Sequence, residues 1–380
     1  MKIGVDIRVL LDKEYSGISQ YAYYLLRELL ARNDDCEYVF YYNSFKHVNL
    51  ELFKWCSDKV TFKNTAWPNK IFNYVLQKIF SWPKLDSITG PVDVFWSPHL
   101  NFSSFGKQAG KKVLTVHDLS FLRYPEFFSI RKNFWHRSLA VKKLVDKYDI
   151  IIAISENTKI DLMELLKVPE EKIRVIYSGL NEERVTLSEL EADNFKTKYD
   201  LNNNFILYLG AIEPRKNVDG LVEAYKMLRD KHLPFTNYQL VLAGASGWKN
   251  KSVYRLVSES LYRDNIKFLG YVSQTERNWL YQNAILFVYP SYYEGFGFPP
   301  LEAMAHGLAT ITSDVSSLPE VVSDAALTIN PYSTLDLARA METLLFDTDL
   351  RKSYVAKGLE RSRLFSWHKT AENYLNLFKK

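Results

Sequence analysis

Residues 289–307 read Tyr289-Pro290-Ser291-Tyr292-Tyr293-Glu294-Gly295-Phe296-Gly297-Phe298-Pro299-Pro300-Leu301-Glu302-Ala303-Met304-Ala305-His306-Gly307. The run into Tyr289 is short and apolar, as a buried strand requires. Gly295 and Gly297 mark a loop, Pro299-Pro300 open a short helix, and Gly307 stops it. Glycines let backbone N–H groups approach a ligand closely, and a helix start adds partial positive charge suited to phosphate. Glu294 is expected on the ligand face of the loop and Glu302 in the first helical turn. Two carboxylates eight positions apart across such a turn can grip two sets of hydroxyl groups. A plainer reading fits the same spacing: Glu302 complements the helix dipole and Glu294 is a solvated loop residue.

Strand–loop–helix alternation extends outward from this window. Upstream, strands are predicted at Phe205 to Gly210, Tyr238 to Ala243, Ile266 to Phe268 and Ile285 to Tyr289, with one more at Ala309 to Thr312. Helices separate them at Asn217 to Arg229, Lys251 to Arg263 and Gln274 to Gln282, with a later one at Thr334 to Phe346. The first half shows the same alternation. Its strands are Lys2 to Asp6, Tyr38 to Tyr42, Val92 to Trp96, Lys112 to Val116 and Ile150 to Ile154. Its helices are Ser19 to Ala31, Asn133 to Lys147 and Glu156 to Leu166. Buried strands alternating with helices imply parallel sheets covered on both faces. Two doubly wound α/β domains with a ligand cleft between them are therefore expected. The polar stretch Asn181 to Asn204, with Glu182, Glu183, Glu189, Glu191 and Asp193, reads as a linker that can hold a short helix. The expected boundaries are 1–180, a linker at 181–204, 205–363, and a C-terminal helix at 364–380 packing back on the first domain.

Composition narrows the function. The 380 residues are 47% hydrophobic and 24% charged, the balance of an ordinary globular chain of two domains. No apolar run reaches the roughly 18 to 20 residues of a membrane span. Met1 to Asp6 lack the pattern of a signal peptide. Cys36 and Cys56 are too few for a disulfide framework, so a reducing cytoplasm is the expectation. A net charge of +5 is too modest to indicate nucleic acid. An oxidoreductase would carry Gly-x-Gly-x-x-Gly after the first strand, and Ile3-Gly4-Val5-Asp6-Ile7-Arg8 does not.

The 289–307 window resembles the Glu-x7-Glu signature of the family 4 retaining glycosyltransferases, which have the GT-B fold. The resemblance spans nearly the whole chain. It takes in the glycine loop at Gly17, Val116-His117-Asp118-Leu119-Ser120, and Leu209-Gly210-Ala211-Ile212-Glu213-Pro214-Arg215-Lys216-Asn217. It continues through Phe268-Leu269-Gly270-Tyr271-Val272 and Ser316-Ser317-Leu318-Pro319-Glu320-Val321. The resemblance implies transfer of a hexose from a nucleotide sugar to an acceptor hydroxyl, with retention. Glu-Pro-Arg-Lys-Asn and Ser-Ser-Leu-Pro-Glu-Val resemble the wording of bacterial O-antigen mannosyltransferases that use GDP-mannose. Rhamnosyl and glucosyl transferases using dTDP- or UDP-sugars share much of it, and a non-catalytic nucleotide-sugar-binding partner would keep the fold.

By that resemblance His117, Glu294, Arg215 and Lys216 are the catalytic group. Gly17, Gly210, Arg215, Lys216, Val272, Glu294, Gly295, Phe296, Gly297, Phe298 and Glu302 bind the donor. Arg215 and Lys216 stabilise the leaving diphosphate, a role that suits a bidentate Arg and a point-charge Lys. Glu294 takes sugar hydroxyls and Glu302 the ribose. His117 lies beside the donor sugar, with Asp118 a candidate to orient its ring, and His99 is a weaker candidate for the acceptor. Asp347-Thr348-Asp349 reads as a turn, so neither a metal nor another cofactor is expected.

The acceptor is expected to be an oligosaccharide, lipid-linked or of a surface polysaccharide. Lys54 to Lys84 carries six Lys against Asp58, interleaved with Trp55, Phe62, Trp67, Phe72, Tyr74, Phe80 and Trp82. Lys132, His136, Lys143 and Lys147 form a second basic stripe, imperfect because Leu139 lies within it. Both suit peripheral attachment to an anionic membrane; a solvated basic face with inward aromatics gives the same pattern.

Overall fold

The computed structural model describes residues 1–11, 17–32, 35–46, 48, 59–69, 71–181, 183–231 and 237–380, the side chains of 74–77 excepted. Lys54, Trp55, Cys56, Asp58, Lys70, Glu182 and the side chain of Tyr74 lie outside the described residues. The chain divides into two compact units. One comprises Met1–Arg123, Ile130–Gly179 and Ser366–Lys380; the other comprises Tyr124–Ser129 and Leu180–Phe365.

The first unit is built on a parallel sheet of seven strands: β1 (Lys2–Asp6), β2 (Glu37–Tyr42), β3 (Val60–Asn64), β4 (Val94–Ser97), β5 (Lys111–Val116), β6 (Ile150–Ala153) and β7 (Ile173–Val175), in the order β3-β2-β1-β4-β5-β6-β7. Val5 of β1 sits opposite Phe40 of β2 on one side and Trp96 of β4 on the other. The strand order reverses between β1 and β4, which opens a ligand crevice at their carboxyl ends. Helix Gly17–Ala31 buries Tyr21, Ala22, Leu25, Leu26, Leu29 and Leu30, one apolar stripe at helical spacing. It packs against helix Trp367–Lys379, and Tyr21 and Tyr374 share a hydroxyl contact of 2.5 Å. Losing a fully buried side chain such as Leu25 would cost about 2–5 kcal/mol.

The second unit holds six parallel strands: β8 (Phe205–Leu209), β9 (Gln239–Ala243), β10 (Ile266–Gly270), β11 (Leu286–Tyr289), β12 (Thr310–Ser313) and β13 (Leu327–Ile329), in the order β10-β9-β8-β11-β12-β13. Here the order reverses between β8 and β11. All five residues of β8 and of β9 are buried, as strands covered on both faces require.

Several sequence expectations need correcting. The stretch 181–204 contains an 11-residue helix, Glu189–Tyr199, started by a Ser188–Glu191 capping box. Its Ala192 and Phe195 lie in the core of the second unit, where Phe195 meets Trp279 edge-on at 5.5 Å. Residues Tyr124–Ser129 belong to the second unit although they fall within 1–180. The helix expected over 133–147 is two helices, Ile130–Leu139 and Val141–Val145, broken where Ala140 turns left-handed (φ 47°). Strands β3, β7 and β13 were not predicted. The first is a largely exposed edge and the other two have three residues each, too short for a hydrophobic pattern to register.

Candidate active site

Two loops leave adjacent strands at the switch point of the second unit. After β8, Gly210 crosses close to Tyr208 and Tyr289; a Cβ there would lie 3.0 Å from the Tyr208 hydroxyl. The chain then makes a short 3₁₀ turn, Pro214–Lys216, and Asn217 ends it in a left-handed conformation, its amide donating to the Pro331 carbonyl at 2.8 Å. After β11 the chain runs through Glu294 to helix Phe298–Ala305. Ser316 and Ser317 hold this second loop from below. Glu294 N–H donates to Ser316 Oγ at 3.0 Å, and Ser317 Oγ donates to the carbonyls of Glu294 and Phe296 at 2.9 and 2.8 Å. Gly297, at φ 113°, faces Leu318 so closely that a Cβ would sit 2.8 Å from Cδ2.

These loops bring four charges together. Lys216 Nζ donates to Glu294 Oε1 at 2.5 Å and to the Tyr289 hydroxyl at 2.6 Å. Arg215 Nη1 donates to Glu294 Oε2 at 3.2 Å and to the Tyr293 carbonyl at 3.0 Å. Its Nε and Nη2 both donate to Glu213 Oε1, at 3.2 and 3.1 Å. Burial pushes the Glu294 carboxyl up, but Lys216 and then Arg215 outweigh it and hold it at about 2. Lys216 is itself depressed, first by burial and then by Arg215. The partners' shifts thus pull in opposite senses for the pair's stability, and the pair contributes less than the Glu294 shift alone implies. Two cations and two carboxylates leave the cluster formally neutral. Lys216 is buried rather than standing in an open solvent-filled space, because its amine is drawn inward by Glu294 and Tyr289. Glu213 lay inside the quoted motif without being singled out; its two-residue spacing to Arg215 was the available signal.

Glu302 is the fifth residue of its helix, one turn later than expected, so it does not complement the dipole at the helix start. Its Oε2 accepts from the Tyr281 hydroxyl at 3.0 Å, and Arg277 Nη2 lies 3.5 Å from Oε1. Burial, then Glu302, drives the Tyr281 hydroxyl well above its usual range. Pro299 and Pro300 lack N–H groups, so the backbone N–H donors of this segment lie at Gly295 to Phe298, ahead of the two prolines. The Phe296 ring is buried against Phe298 and Phe365 and acts as a packing group. Val272 is buried just after β10, beside the exposed Tyr271.

The remaining candidates lie in the first unit. Gly17 begins helix Gly17–Ala31, and the preceding Ser16 is outside the described residues. His117 follows β5 and donates from Nε2 to the Pro98 carbonyl at 2.7 Å, with Tyr21 packed edge-on at 4.7 Å. That leaves Nδ1 as the ring's acceptor. Asp118 does not orient the ring: its Oδ1 accepts from the N–H and hydroxyl of Ser120 at 3.0 and 2.6 Å. His99 Nε2 accepts from the Asn101 amide at 3.2 Å, since the Asn101 oxygen is taken by Phe102 N–H. Burial lowers both histidines to about 4, against opposition from the Pro98 bond and Asp118 at His117, and from Asp6 at His99. Asp6 and Arg8 at the end of β1 form a buried pair of 2.6 Å whose guanidinium also bonds Phe102 O and Asn73.

Asp347 caps helix Thr348–Ser362, its carboxylate accepting from Leu350 N–H at 2.9 Å, so the Asp347-Thr348-Asp349 turn has a structural role. Among the described residues no group of three or more His, Cys, Asp or Glu is arranged to hold a metal ion. No helix among them is long and apolar enough to cross a membrane. In the basic aromatic stretch, Phe72 is buried, whereas Trp67, Phe80 and Trp82 are exposed. A cavity of about 500 Å³ in the second unit is lined by Ala284, Ile285, Gly307, Leu308 and Ala309 among others, at the amino ends of β11 and β12 and away from the charged cluster.

Two Rossmann-like parallel-sheet units, one carrying Glu-x7-Glu and a Lys-Arg pair at its switch point, define a GT-B glycosyltransferase. Residues 15–184 match the family described as Glycosyltransferase Family 4, and residues 190–361 match Glycosyl transferases group 1. The chain is 33% identical over 271 residues to the O-antigen chain mannosyltransferase B of Escherichia coli, covering 71% of this chain and 70% of that protein. It is 35% identical over 267 residues to the serotype-specific mannosyltransferase WbdA of Escherichia coli, covering 69% of this chain but only 32% of WbdA. The fold is similar to that of Anabaena Alr3699/HepE crystallised with UDP and glucose, with a TM-score of 0.73, 16% identity, and coverage of 100% of this chain and 99% of that one. The protein belongs to the family 4 glycosyltransferases.

Proposed function

We propose that this glycosyltransferase moves mannose from GDP-mannose to a hydroxyl of a lipid-linked or surface-polysaccharide oligosaccharide, retaining the anomeric configuration and needing no metal ion. The observation that carries this reading is the Lys216–Glu294–Arg215 cluster at the β8/β11 switch point. Departure of a nucleoside diphosphate develops negative charge, and preorganised cations aimed at it are usually the largest catalytic contribution. Lys216 and Arg215 supply two such cations. The Glu294 carboxylate, kept ionised by them, retains lone pairs to accept from sugar hydroxyls. Glu302 takes the ribose hydroxyls, and Val272 backbone groups face the base. His117, neutral at physiological pH, offers Nδ1 as an acceptor for a donor-sugar hydroxyl. The favoured chemistry is front-face displacement: the acceptor oxygen bonds to the anomeric carbon as its bond to phosphate breaks, and the departing phosphate oxygen takes the acceptor's proton.

Mannose is favoured because two E. coli relatives are named mannosyltransferases, one of them for the O-antigen chain. The cytoplasmic face of the inner membrane is the place of action this implies. A glucosyl or rhamnosyl donor is the second reading, favoured by the UDP and glucose of the Anabaena protein. A thermal-shift panel of GDP-, UDP- and dTDP-sugars separates them, because a ligand of the folded state raises the midpoint. GDP-mannose should give the largest shift, and radiolabelled mannose should then transfer to a lipid-linked acceptor in the presence of EDTA. A larger shift with another donor overturns mannose, loss of transfer in EDTA restored by magnesium overturns metal independence, and binding without transfer points to a non-catalytic partner.

A further inference from the structure

The six residues Tyr124–Ser129 belong to the second unit, while their chain neighbours on both sides, Arg123 and Ile130, belong to the first. A short segment that parts from its neighbours in this way needs anchors of its own, because ordering it costs backbone entropy. Pro125 presets φ for a 3₁₀ turn, Pro125–Phe127, and the N–H groups of Phe127 and Phe128 donate to the carbonyls of Tyr124 and Pro125 at 3.1 Å. Side chains three apart eclipse in such a turn, and the Tyr124 and Phe127 rings accordingly stack at 5.4 Å, 24° from parallel.

The two rings meet the loop after β11. Tyr124 packs on Tyr293 and Phe127 stacks on Tyr292, both at 5.7 Å, and Tyr292 also packs against Tyr332 at 4.9 Å. The same segment holds the loop after β9. Trp248 Nε1 donates to the Phe127 carbonyl at 2.6 Å, Lys249 Nζ donates to the Glu126 carbonyl at 2.7 Å, and Phe128 stacks on Trp248 at 5.8 Å. In the sheet β8 lies between β9 and β11, so the segment touches the loops on both sides of the one that carries Arg215. Both flanking loops are bonded to that middle loop. Ile212 N–H donates to the Ala245 carbonyl at 3.0 Å, Gly247 N–H to the Ile212 carbonyl at 3.1 Å, and Tyr292 N–H to the Arg215 carbonyl at 2.9 Å. Arg215 Nη1 completes the set on the Tyr293 carbonyl at 3.0 Å.

We propose that Tyr124 and Phe127 are positioning residues that aim the Arg215 guanidinium through the β11 loop. Their rings fix Tyr292 and Tyr293, whose N–H and carbonyl hold the main chain and the guanidinium of Arg215 respectively. A guanidinium must be held in direction as well as in place, because its planar fork binds phosphate along two N–H bonds at once. Trp248 anchors the other end of the segment on the β9 loop. The inference rests on the proposed role of Arg215 at the leaving diphosphate and deepens it by naming what sets the direction of that cation.

The test uses the full chain and places Phe127→Ala in the wild-type and Arg215→Ala backgrounds. Misplacing a group by about 1 Å costs up to about 100-fold, so Phe127→Ala should lower kcat about 10- to 100-fold while the donor KM stays near the wild-type value. In the Arg215→Ala background the same substitution should change turnover by less than about twofold, since the group it aims is gone. A merely structural loss would lower both backgrounds by the same factor, and that result overturns the proposal. Phe127→Leu, which keeps most of the volume, guards against misfolding of Phe127→Ala and should show the same dependence on background. Tyr124→Phe keeps the ring and should restore most of the turnover that Tyr124→Ala loses; equal losses overturn the proposal as well. Hydrogen exchange supplies a readout free of catalysis. The Tyr292 amide should exchange faster in Phe127→Ala while the amides of β8 stay protected, and unchanged protection at Tyr292 overturns the proposal whatever the activity. Normal turnover in Arg215→Ala alone would count against the proposed function, and the Tyr292 exchange would still decide whether the segment holds the loop.

Discussion

The Glu294 carboxylate accepts from the Lys216 amine at 2.5 Å although 78 positions separate them in the chain, and both side chains are almost fully buried. Each therefore holds the β8 and β11 loops together, and in the proposed function each also acts in the chemistry. Lys216→Ala should reduce turnover about 100-fold or more, since one cation facing the leaving group is lost. It should also destabilise the protein by about 3–5 kcal/mol, because a buried carboxylate loses a partner. Adding Glu294→Gln should restore most of the stability and none of the turnover. Denaturant unfolding that finds Lys216→Ala as stable as the wild type would refute the coupling.

Glu213 neutralises Arg215 from behind. Replacing it by Gln keeps a hydrogen-bond acceptor and removes a charge, so free nucleoside diphosphate should bind about tenfold tighter and leave more slowly. Calorimetric titration checks this; unchanged or weaker binding would mean that Glu213 acts only through shape.

The two motif carboxylates should separate when the ligand is trimmed. Glu302→Ala should weaken free nucleoside diphosphate roughly 10- to 150-fold, because the ribose contact proposed for it would be worth about 1.5–3 kcal/mol with or without a sugar. Glu294→Gln, which like Glu213→Gln removes a negative charge beside the cations, should bind the diphosphate at least as tightly as the wild type yet lose turnover. Equal weakening in both variants would show the roles to be wrongly divided.

Gly297→Ala should destabilise by about 1–3 kcal/mol, since its positive φ strains any L side chain. Leu318→Ala, itself costly because Leu318 is fully buried, should destabilise the Gly297→Ala chain by less than it destabilises the wild type, since truncation removes the clash with the new Cβ. Strictly additive losses in the double variant would contradict the clash.

Acid should loosen the first unit before the second. His99 and His117 titrate at about 4 when folded, below the ordinary 6.5, so the unfolded chain binds more protons between those values. Their contribution is present above pH 6.5 and is lost as the pH falls toward 4. Glu294, lowered to about 2, contributes above 4.5 and is lost only below it. Burial also lowers His306 in the second unit, one histidine against two, so hydrogen exchange, corrected for intrinsic rates, should show β4 and β5 amides opening between pH 6.5 and 5 ahead of those of β11. Earlier opening of β11 would reverse the assignment.

The sequence by itself determined the two doubly wound units, the positions of most strands along the chain and the identities of Glu294, Glu302, Arg215, Lys216 and His117 as candidates. Those features are local: short buried runs such as Phe205–Leu209, glycine and proline punctuation, and motifs confined to a few residues. Tertiary structure alone decided what each side chain touches. It turned Lys216 inward on Glu294 and Tyr289, set Glu213 behind Arg215, gave Glu302 to Tyr281, and took Asp118 away from His117. It also recruited 124–129 into the second unit and rotated Ile130 and Phe134 outward by stacking His136 on Phe121. The physical reason is range. Hydrophobic period and turn chemistry act over a few residues, whereas ion pairing and ring stacking join groups tens of positions apart, and only the closed sheets fix which of those groups meet.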